Sequence, residues 1–171
     1  MKCDLLEMNL KAVYIAPAAV HDLAADVLQW YRPDCVFVSE FHYNGGVLQA
    51  KVIPRALDYG IIDMPYLTAT QFTLILSQMA YVLTACLCVD TSIEKLQAQD
   101  YGTLLDNIPS GKCLITNQNW VFRNTISKDS TSYAMLTSKR VRIIRNRLIL
   151  QCSLNIGDGA VFGDSIFFMP L

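Results

Sequence analysis

The first periodic pattern in the chain predicts a helix over about 18–31. Apolar side chains recur every three or four positions from Val20 to Tyr31, so they fall on one face of a helix. Arg32-Pro33 ends the pattern, because a residue before proline avoids the helical conformation. We therefore expect one amphipathic helix near the start of the chain.

A strand pair follows this helix. From 35 to 43 the side chains alternate, with Cys35, Phe37, Ser39, Phe41 and Tyr43 on one face. Asn44-Gly45-Gly46 is typical of a hairpin turn, because asparagine and glycine tolerate a positive φ. The segment 47–53 is the predicted return strand, and Pro54 stops it.

The middle of the chain contains a long uncharged segment. No charged residue occurs from Met64 to Val89, between Asp63 and Asp90. Its length would allow it to cross a bilayer, but polar side chains are spread along it and both flanks are acidic. We therefore predict a helix over about 68–89 that is buried within the protein, with Thr68 as its cap, and no membrane insertion.

The remaining chain predicts a short helix and four more strands. The helix is expected within 91–106, and the strands are rich in β-branched and aromatic residues. A helix that is apolar all round must be surrounded, and six antiparallel strands form a sheet large enough to curl around it. The prediction is an α+β hot-dog fold, with residues 1–171 as a single domain. The four strands are expected at 112–126, 132–144, 148–156 and 160–169.

Composition narrows the class of protein. Apolar residues make up 53% of the 171, charged residues only 17%, and the net charge is −1. This excludes a disordered chain and argues against a dedicated nucleic-acid binder. The few charges also favour a homodimer or higher oligomer that covers part of the surface. Six cysteines without a secretory signal or a Cys-x-x-Cys pair predict reduced thiols, a cytoplasmic location and no metal site.

The central helix resembles that of the FcoT-like long-chain fatty acyl-CoA thioesterases. The likeness lies in the run from Gln71 to Tyr81, above all in Gln78-Met79-Ala80-Tyr81, and Phe122-Arg123 is also similar. It extends at pattern level from near Val20 to the C-terminus. The resemblance implies a hot-dog enzyme that hydrolyses a long-chain acyl thioester of coenzyme A or of an acyl carrier protein. Some relatives instead add glycine to an enoyl thioester, so conjugate addition or dehydration is an alternative.

The resemblance also implies a set of site residues. Tyr31 and Tyr59 match two tyrosines of the family, whereas Thr68 and Ser77 stand where the family has asparagines. At the helix start the family's Asn-Ala-x-Glu is Thr68-Ala69-Thr70-Gln71 here, and Tyr66 replaces a histidine. These replacements leave a non-catalytic partner subunit as a further alternative. The implied catalytic residues are Tyr31, Tyr59, Thr68, Gln71 and Ser77.

The residues themselves suggest how a thioester could be held. Backbone N–H groups around 69–71 could polarise its carbonyl, because they lie at the positive end of the helix dipole. The candidates for activating water are Asp58, Asp63, Gln71 and the tyrosines, and Asp63, five residues before Thr68, is near enough to reach the helix start. Tyr66 and one helix face could bind the substrate. Arg140 and Arg142 share a strand face and could bind coenzyme A phosphates or an acidic carrier. That helix face carries Thr70, Thr73, Ser77 and Tyr81. No cofactor is expected beyond the coenzyme A or phosphopantetheine of the substrate.

Overall fold

A computed structural model describes residues 15–55, 65–90, 101–109, 113–145 and 147–170 of the chain. These residues form three α-helices, one short 3-10 turn at Pro33–Cys35, and six strands. The helices are α1 (Pro17–Leu28), α2 (Ala69–Val89) and α3 (Tyr101–Asn107). The strands are β1 (Val38–Asn44), β2 (Val47–Val52), β3 (Leu114–Phe122), β4 (Ser132–Ile143), β5 (Arg147–Ile156) and β6 (Val161–Pro170).

The six strands form one antiparallel sheet in the order β1-β2-β4-β5-β6-β3. β1 and β3 are therefore its edges. Gly45 and Gly46, with φ of 50° and 80°, make the two-residue turn that joins β1 to β2. The sheet curls around α2, so the hot-dog fold predicted from the sequence is confirmed.

The helix α2 is the centre of the core. It is long and apolar enough to cross a bilayer, yet 72% of its most apolar window is buried inside the protein. Ile75, Met79 and Leu83 are fully buried on it, as are Leu136 and Leu150 on the inner face of the sheet. Burial of this apolar surface is the main stabilising contribution to the fold.

The helix α1 packs on α2 and β1 and ends earlier than the sequence predicts. It stops at Leu28, three residues short of the predicted end at Tyr31. The pre-proline residue Arg32 is extended, with ψ of 143°, and the chain leaves the helix before reaching it. Tyr31 consequently lies outside the helix. α3 falls largely within the predicted segment 91–106, of which 91–100 lie outside the described residues.

A bulge in β1 overturns part of the alternation predicted for residues 35–43. The pairing with β2 shifts between Ser39 and His42, and Glu40 has a φ of 51°. The extra residue reverses the phase of the strand, so Val38 is buried on the same face as Phe41 and Tyr43. The predicted face that contained Ser39 is therefore wrong.

A second bulge, in β4, decides which way its arginines point. Ser138 pairs with Cys152 and Arg140 pairs with Gln151, so Lys139 is the extra residue. Before the bulge the even-numbered residues face α2, as the buried Ser138 does. After it the odd-numbered residues do, beginning with the buried Val141. Arg140 and Arg142 thus point away from the core.

A buried amide, to which the sequence analysis assigns no individual role, joins α2 to the segment before β1. Gln78 is fully buried. Its Oε1 accepts from the Phe37 N–H at 2.9 Å, and its Nε2 donates to the Cys35 carbonyl at 2.6 Å. This side chain therefore provides hydrogen-bond partners for two backbone groups that lie outside the α-helices and strands.

We expect Gln78→Met to lower the free energy of unfolding by about 2 to 4 kcal/mol, because it keeps the volume but strands two buried polar groups. Urea denaturation measures the change. Gln49→Met, on the exposed outer side of β2, is the matched control and should change stability by less than about 0.5 kcal/mol. Equal effects of the two variants would contradict this role of Gln78.

Candidate functional site

A cavity of about 550 Å³ lies at the N-terminal end of α2. Its walls come from the segment before α2, the first turn of α2, and the end of β3 with the residues that follow it. Two backbone hydrogen bonds hold these segments together, from Leu67 N–H to Ile126 O and from Lys128 N–H to Pro65 O, each 2.9 Å. The lining residues are Tyr66, Leu67, Thr68, Ala69, Phe72, Phe122, Arg123, Asn124, Thr125 and Ile126.

A reciprocal cap fixes the start of α2. The Thr68 N–H donates to Gln71 Oε1 at 2.7 Å, and the Gln71 N–H donates to the Thr68 hydroxyl at 3.5 Å. Gln71 Nε2 also donates to the Arg55 carbonyl at 2.6 Å. The buried amide of Gln71 is thus fully engaged in holding the helix start and the chain after β2.

The cap leaves two backbone donors at the start of α2, and the first of them belongs to Ala69, which lines the cavity. The first N–H groups of a helix have no partner within it, and the cap satisfies only that of Gln71. The N–H groups of Ala69 and Thr70 remain, at the positive end of the helix dipole. An oxygen atom that carries partial negative charge would be stabilised there.

The other side of the cavity is apolar and aromatic. The ring of Phe72 lies 5.4 Å from that of Phe122 and 6.4 Å from that of Trp120, between ring centroids. Phe122 remains 51% exposed although it points to the inner side of the sheet. Arg123 lies at the rim, with its guanidinium 4.7 Å from the centre of the Phe162 ring. A chain with an apolar part and an anionic part could be accommodated here.

Two hydroxyls of the predicted substrate-binding helix face bond to the helix itself. Thr73 Oγ1 donates to the Ala69 carbonyl at 3.2 Å, and Ser77 Oγ donates to the Thr73 carbonyl at 2.9 Å. Gln118 of β3 donates to Thr73 Oγ1 at 3.3 Å. This face, with Thr70, Thr73, Leu74, Ser77 and Tyr81, is the part of α2 that the described chain leaves incompletely covered.

Tyr31 is placed away from the cavity, beside Tyr81 and Cys113. Burial raises the pKa of the hydroxyls of Tyr31 and Tyr81, and the nearby Cys113 thiol adds to this in both. Tyr81 lies twelve residues along α2 from Ala69, or about 18 Å. The structure therefore brings Thr68, Tyr66 and Gln71 together at one end of α2 and places Tyr31 near its middle.

Other candidates lie elsewhere. Arg140 and Arg142 are on the outer face of the sheet, opposite to the face that contacts α2. Tyr59, Asp63 and Asp58 lie outside the described residues, so their predicted roles stay predictions.

The sequence reasoning missed the aromatic wall as part of the site. Trp120 and Phe122 are two residues apart and so lie on one face of β3, which is a signal that the alternation contains. What the sequence could not give is the pairing of β3 with β6. That pairing turns this face towards α2 and leaves it at the edge of the sheet.

Comparison with solved structures supports the fold. A protein from Pseudomonas aeruginosa has a TM-score of 0.52 at 12% sequence identity, covering 89% of this chain and 99% of that one. A sigma28-regulated virulence protein from Campylobacter jejuni has a TM-score of 0.51 at 6% identity, covering 87% and 95%. A thioesterase superfamily protein from Shewanella loihica has a TM-score of 0.49 at 7% identity, covering 81% and 95%.

No protein-family model matches the sequence, and no curated protein matches it either. At 6% to 12% identity the structural likeness concerns the fold alone. The chain is thus a hot-dog protein by architecture, and its chemistry has to be inferred from its own residues.

We expect Thr68→Ala to lower the free energy of unfolding by about 1 kcal/mol, because it removes the side chain that caps α2. Thr68→Ser keeps the hydroxyl and is the matched control. Thermal and urea denaturation of both variants would test this. A Thr68→Ala protein as stable as the parent would show that the cap contributes nothing.

Proposed function

We propose that the protein binds an acyl thioester in the cavity at the start of α2 and hydrolyses it. The observation that carries the proposal is that the N–H groups of Ala69 and Thr70, which have no partner among the described residues, lie at the end of α2 where Ala69 and the aromatic wall line one cavity. A thioester offers a carbonyl oxygen to the first and an apolar chain to the second. This class of substrate agrees with the resemblance of α2 to the FcoT-like thioesterases. It also agrees with the presence of a thioesterase superfamily protein among the structural neighbours.

The chemistry would proceed by addition and elimination. Water adds to the carbonyl carbon and loses a proton, and the oxyanion that forms accepts hydrogen bonds from the N–H groups of Ala69 and Thr70. The C–S bond then breaks, the thiol leaves with a proton, and a carboxylic acid remains. Thr68 and Gln71 act in this scheme by fixing the helix start, which holds both N–H groups in place.

The proton acceptor is the open element of this scheme. Among the cavity-lining residues that the structure describes there is no carboxylate and no imidazole. Asp63, five residues before Thr68, is the acid that we propose for this role. The same observation favours a second candidate function, a subunit that binds a thioester without turning it over.

The substrate is proposed to be a long-chain acyl thioester of coenzyme A or of a carrier protein. Its chain would lie along the uncovered face of α2, beside the aromatic wall. No cofactor enters the scheme, since the thiol is part of the substrate itself.

We also propose that the working form is a homodimer or a larger assembly built from dimers. The edge strand β3 exposes 41% of Val121 and 51% of Phe122 at its end near the cavity. Exposed apolar side chains on an unpaired strand edge favour association with another chain. A second copy at this edge would also cover the open face of α2 and close the cavity.

Ala69→Pro tests the helix N–H groups directly. Proline is tolerated at the first position of a helix, and Thr68, with φ of −93° and ψ of 163°, already has the conformation that precedes proline. The variant removes one N–H donor, so we expect kcat to fall by about 100-fold. Release of free acid from a panel of acyl-CoA and acyl-carrier thioesters, followed by mass spectrometry, is the measurement.

Ala69→Ser, which keeps the N–H group, is the matched control and should retain activity. A thioester that binds without turnover would favour the non-catalytic reading. A mass gain on an enoyl chain would favour conjugate addition. If no thioester bound, the proposed function would be abandoned.

Val121→Lys tests the assembly. A charge on the edge of β3 should oppose pairing with a second copy, so we expect the variant to sediment as a monomer in analytical ultracentrifugation while the parent chain sediments as a dimer or larger. Lys is expected to leave the fold intact, because Val121 points outward and is exposed. A monomeric parent chain would refute the assembly.

A further inference from the structure

The β4–β5 hairpin carries a dense group of positive charges. The nine residues from Lys139 to Arg147 include five cations and no carboxylate. Lys139 is paired with Asp164 at 2.6 Å. Within the described residues no carboxylate lies within ion-pair distance of the four arginines. These four, Arg140, Arg142, Arg145 and Arg147, are here called the arginine group.

An apolar row adjoins the arginine group on the outer face of the sheet. Arg142 pairs with Ile149, Ile149 with Phe168, and Phe168 with Leu114, so these four side chains follow one another across β4, β5, β6 and β3. Arg147 stacks over Phe168, with its guanidinium 5.2 Å from the ring centre. A hollow of about 280 Å³ lies at this end of the row, lined by Leu114, Arg147, Phe168 and Pro170.

These features do not fit a solvated edge strand whose charges serve only to prevent pairing with another chain. Such an edge needs cations but no apolar row, and β4 and β5 lie inside the sheet, not at its edge. Arg142 Nε is buried without a hydrogen-bond partner in the described structure. A polar group in that state has lost its water without gaining a protein acceptor, which is a cost that an anionic partner would relieve.

The location separates this surface from the cavity. Ile149 is seven residues along β5 from Ile156, which lies opposite Val161 and through it opposite Phe122. At the rise of a β-strand this is about 23 Å. The arginine group therefore lies too far from the N–H groups of α2 to contact the reacting carbonyl.

The surface nevertheless adjoins a path to the cavity. Leu114, at the end of the apolar row, begins β3, and its neighbour Cys113 contacts Tyr81 on the uncovered face of α2. From Tyr81 that face leads along α2 to Thr70, eleven residues or about 16 Å. A flexible arm anchored at the arginine group could follow it to the cavity.

We propose that the arginine group and the apolar row are a docking surface for an acidic helical carrier protein, which presents the thioester on its pantetheine arm. This inference rests on the proposed function and names the form in which the substrate arrives. Charge complementarity selects the partner. Four guanidinium groups that have no carboxylate partner among the described residues match carboxylates, and the row Ile149-Phe168-Leu114 matches the apolar stripe of a helix.

The test is a binding measurement that does not depend on turnover. The probe is a bacterial acyl carrier protein with a fluorescent dye on its pantetheine thiol, and the readout is fluorescence anisotropy with the full chain. We expect Arg145→Glu/Arg147→Glu to weaken binding by at least about tenfold, and binding of the parent chain to weaken as salt rises. Arg145→Lys/Arg147→Lys keeps the charge and should retain most of the affinity.

The matched control is Arg32→Glu/Lys51→Glu, which makes the same change in net charge at exposed positions outside the surface. It should change the affinity by less than about twofold, since distant surface charges are screened. Thermal denaturation shows that each variant is folded. Equal weakening by the control, no weakening by the glutamate variant, or no binding of the carrier would overturn the docking surface.

Two further readouts separate this inference from the proposed function. Hydrolysis of free acyl-CoA should be unchanged in Arg145→Glu/Arg147→Glu, because these residues lie away from the cavity. If acyl-CoA is hydrolysed but the carrier does not bind, the docking surface fails and the proposed function stands. If the carrier binds but no thioester is hydrolysed, the reverse holds. Arginine-dependent binding of a 20-base-pair RNA duplex, with none of the carrier, would overturn the inference in favour of a nucleic-acid partner.

Discussion

The structure depends on the burial of a long uncharged helix by a single sheet. α2 offers apolar side chains on nearly every side, but a sheet has only one inner face. The polar groups that α2 buries are each satisfied, Gln78 by the segment before β1 and Thr84 by the Ala80 carbonyl at 2.8 Å. α1 covers a further part of the helix, and the stripe through Thr70, Thr73 and Ser77 is what remains. The same constraint thus builds the core and leaves an open side where a substrate or a second chain can contact α2.

The start of α2 links stability to function. A helix this deeply buried needs a fixed beginning, and Thr68 and Gln71 provide it by bonding to each other and to Arg55. Because the side chains take up the capping role, the backbone N–H groups of Ala69 and Thr70 are left for another partner. Thr68 and Gln71 stand at positions that the family resemblance assigns to catalysis. In this structure they hold in place the backbone N–H groups that we propose stabilise the oxyanion. This arrangement favours catalysis, since a backbone donor that is already in place needs no reorganisation when negative charge develops on the oxyanion.

Much of the fold could be predicted from the sequence, and the reasons are local. The spacing of apolar residues predicted both long helices and the first strand pair, the β-branched and aromatic residues predicted the last four strands, and Gly45-Gly46 marked the first turn. The site was harder, because it joins segments far apart in the chain. Phe122 reaches Phe72 only through the pairing of β3 with β6, which no local pattern encodes. Tyr31 lies outside the helix because α1 ends at Leu28, ahead of the extended pre-proline residue Arg32.

The bulge at Lys139 shows how much can depend on the number of residues in a strand. If the same residues paired regularly with β5 and formed no bulge, the alternation that buries Leu136 and Ser138 would continue and turn Arg140 and Arg142 against the apolar helix. Two guanidinium groups would then be buried without partners, and Val141 would face the solvent. Deletion of Lys139 itself would keep both faces, because Ser138–Cys152 and Arg140–Gln151 would then be consecutive pairs. β4 can therefore lose its bulge and still bury the same residues, whereas loss of a residue from its regular part would exchange the two faces of the strand beyond that point.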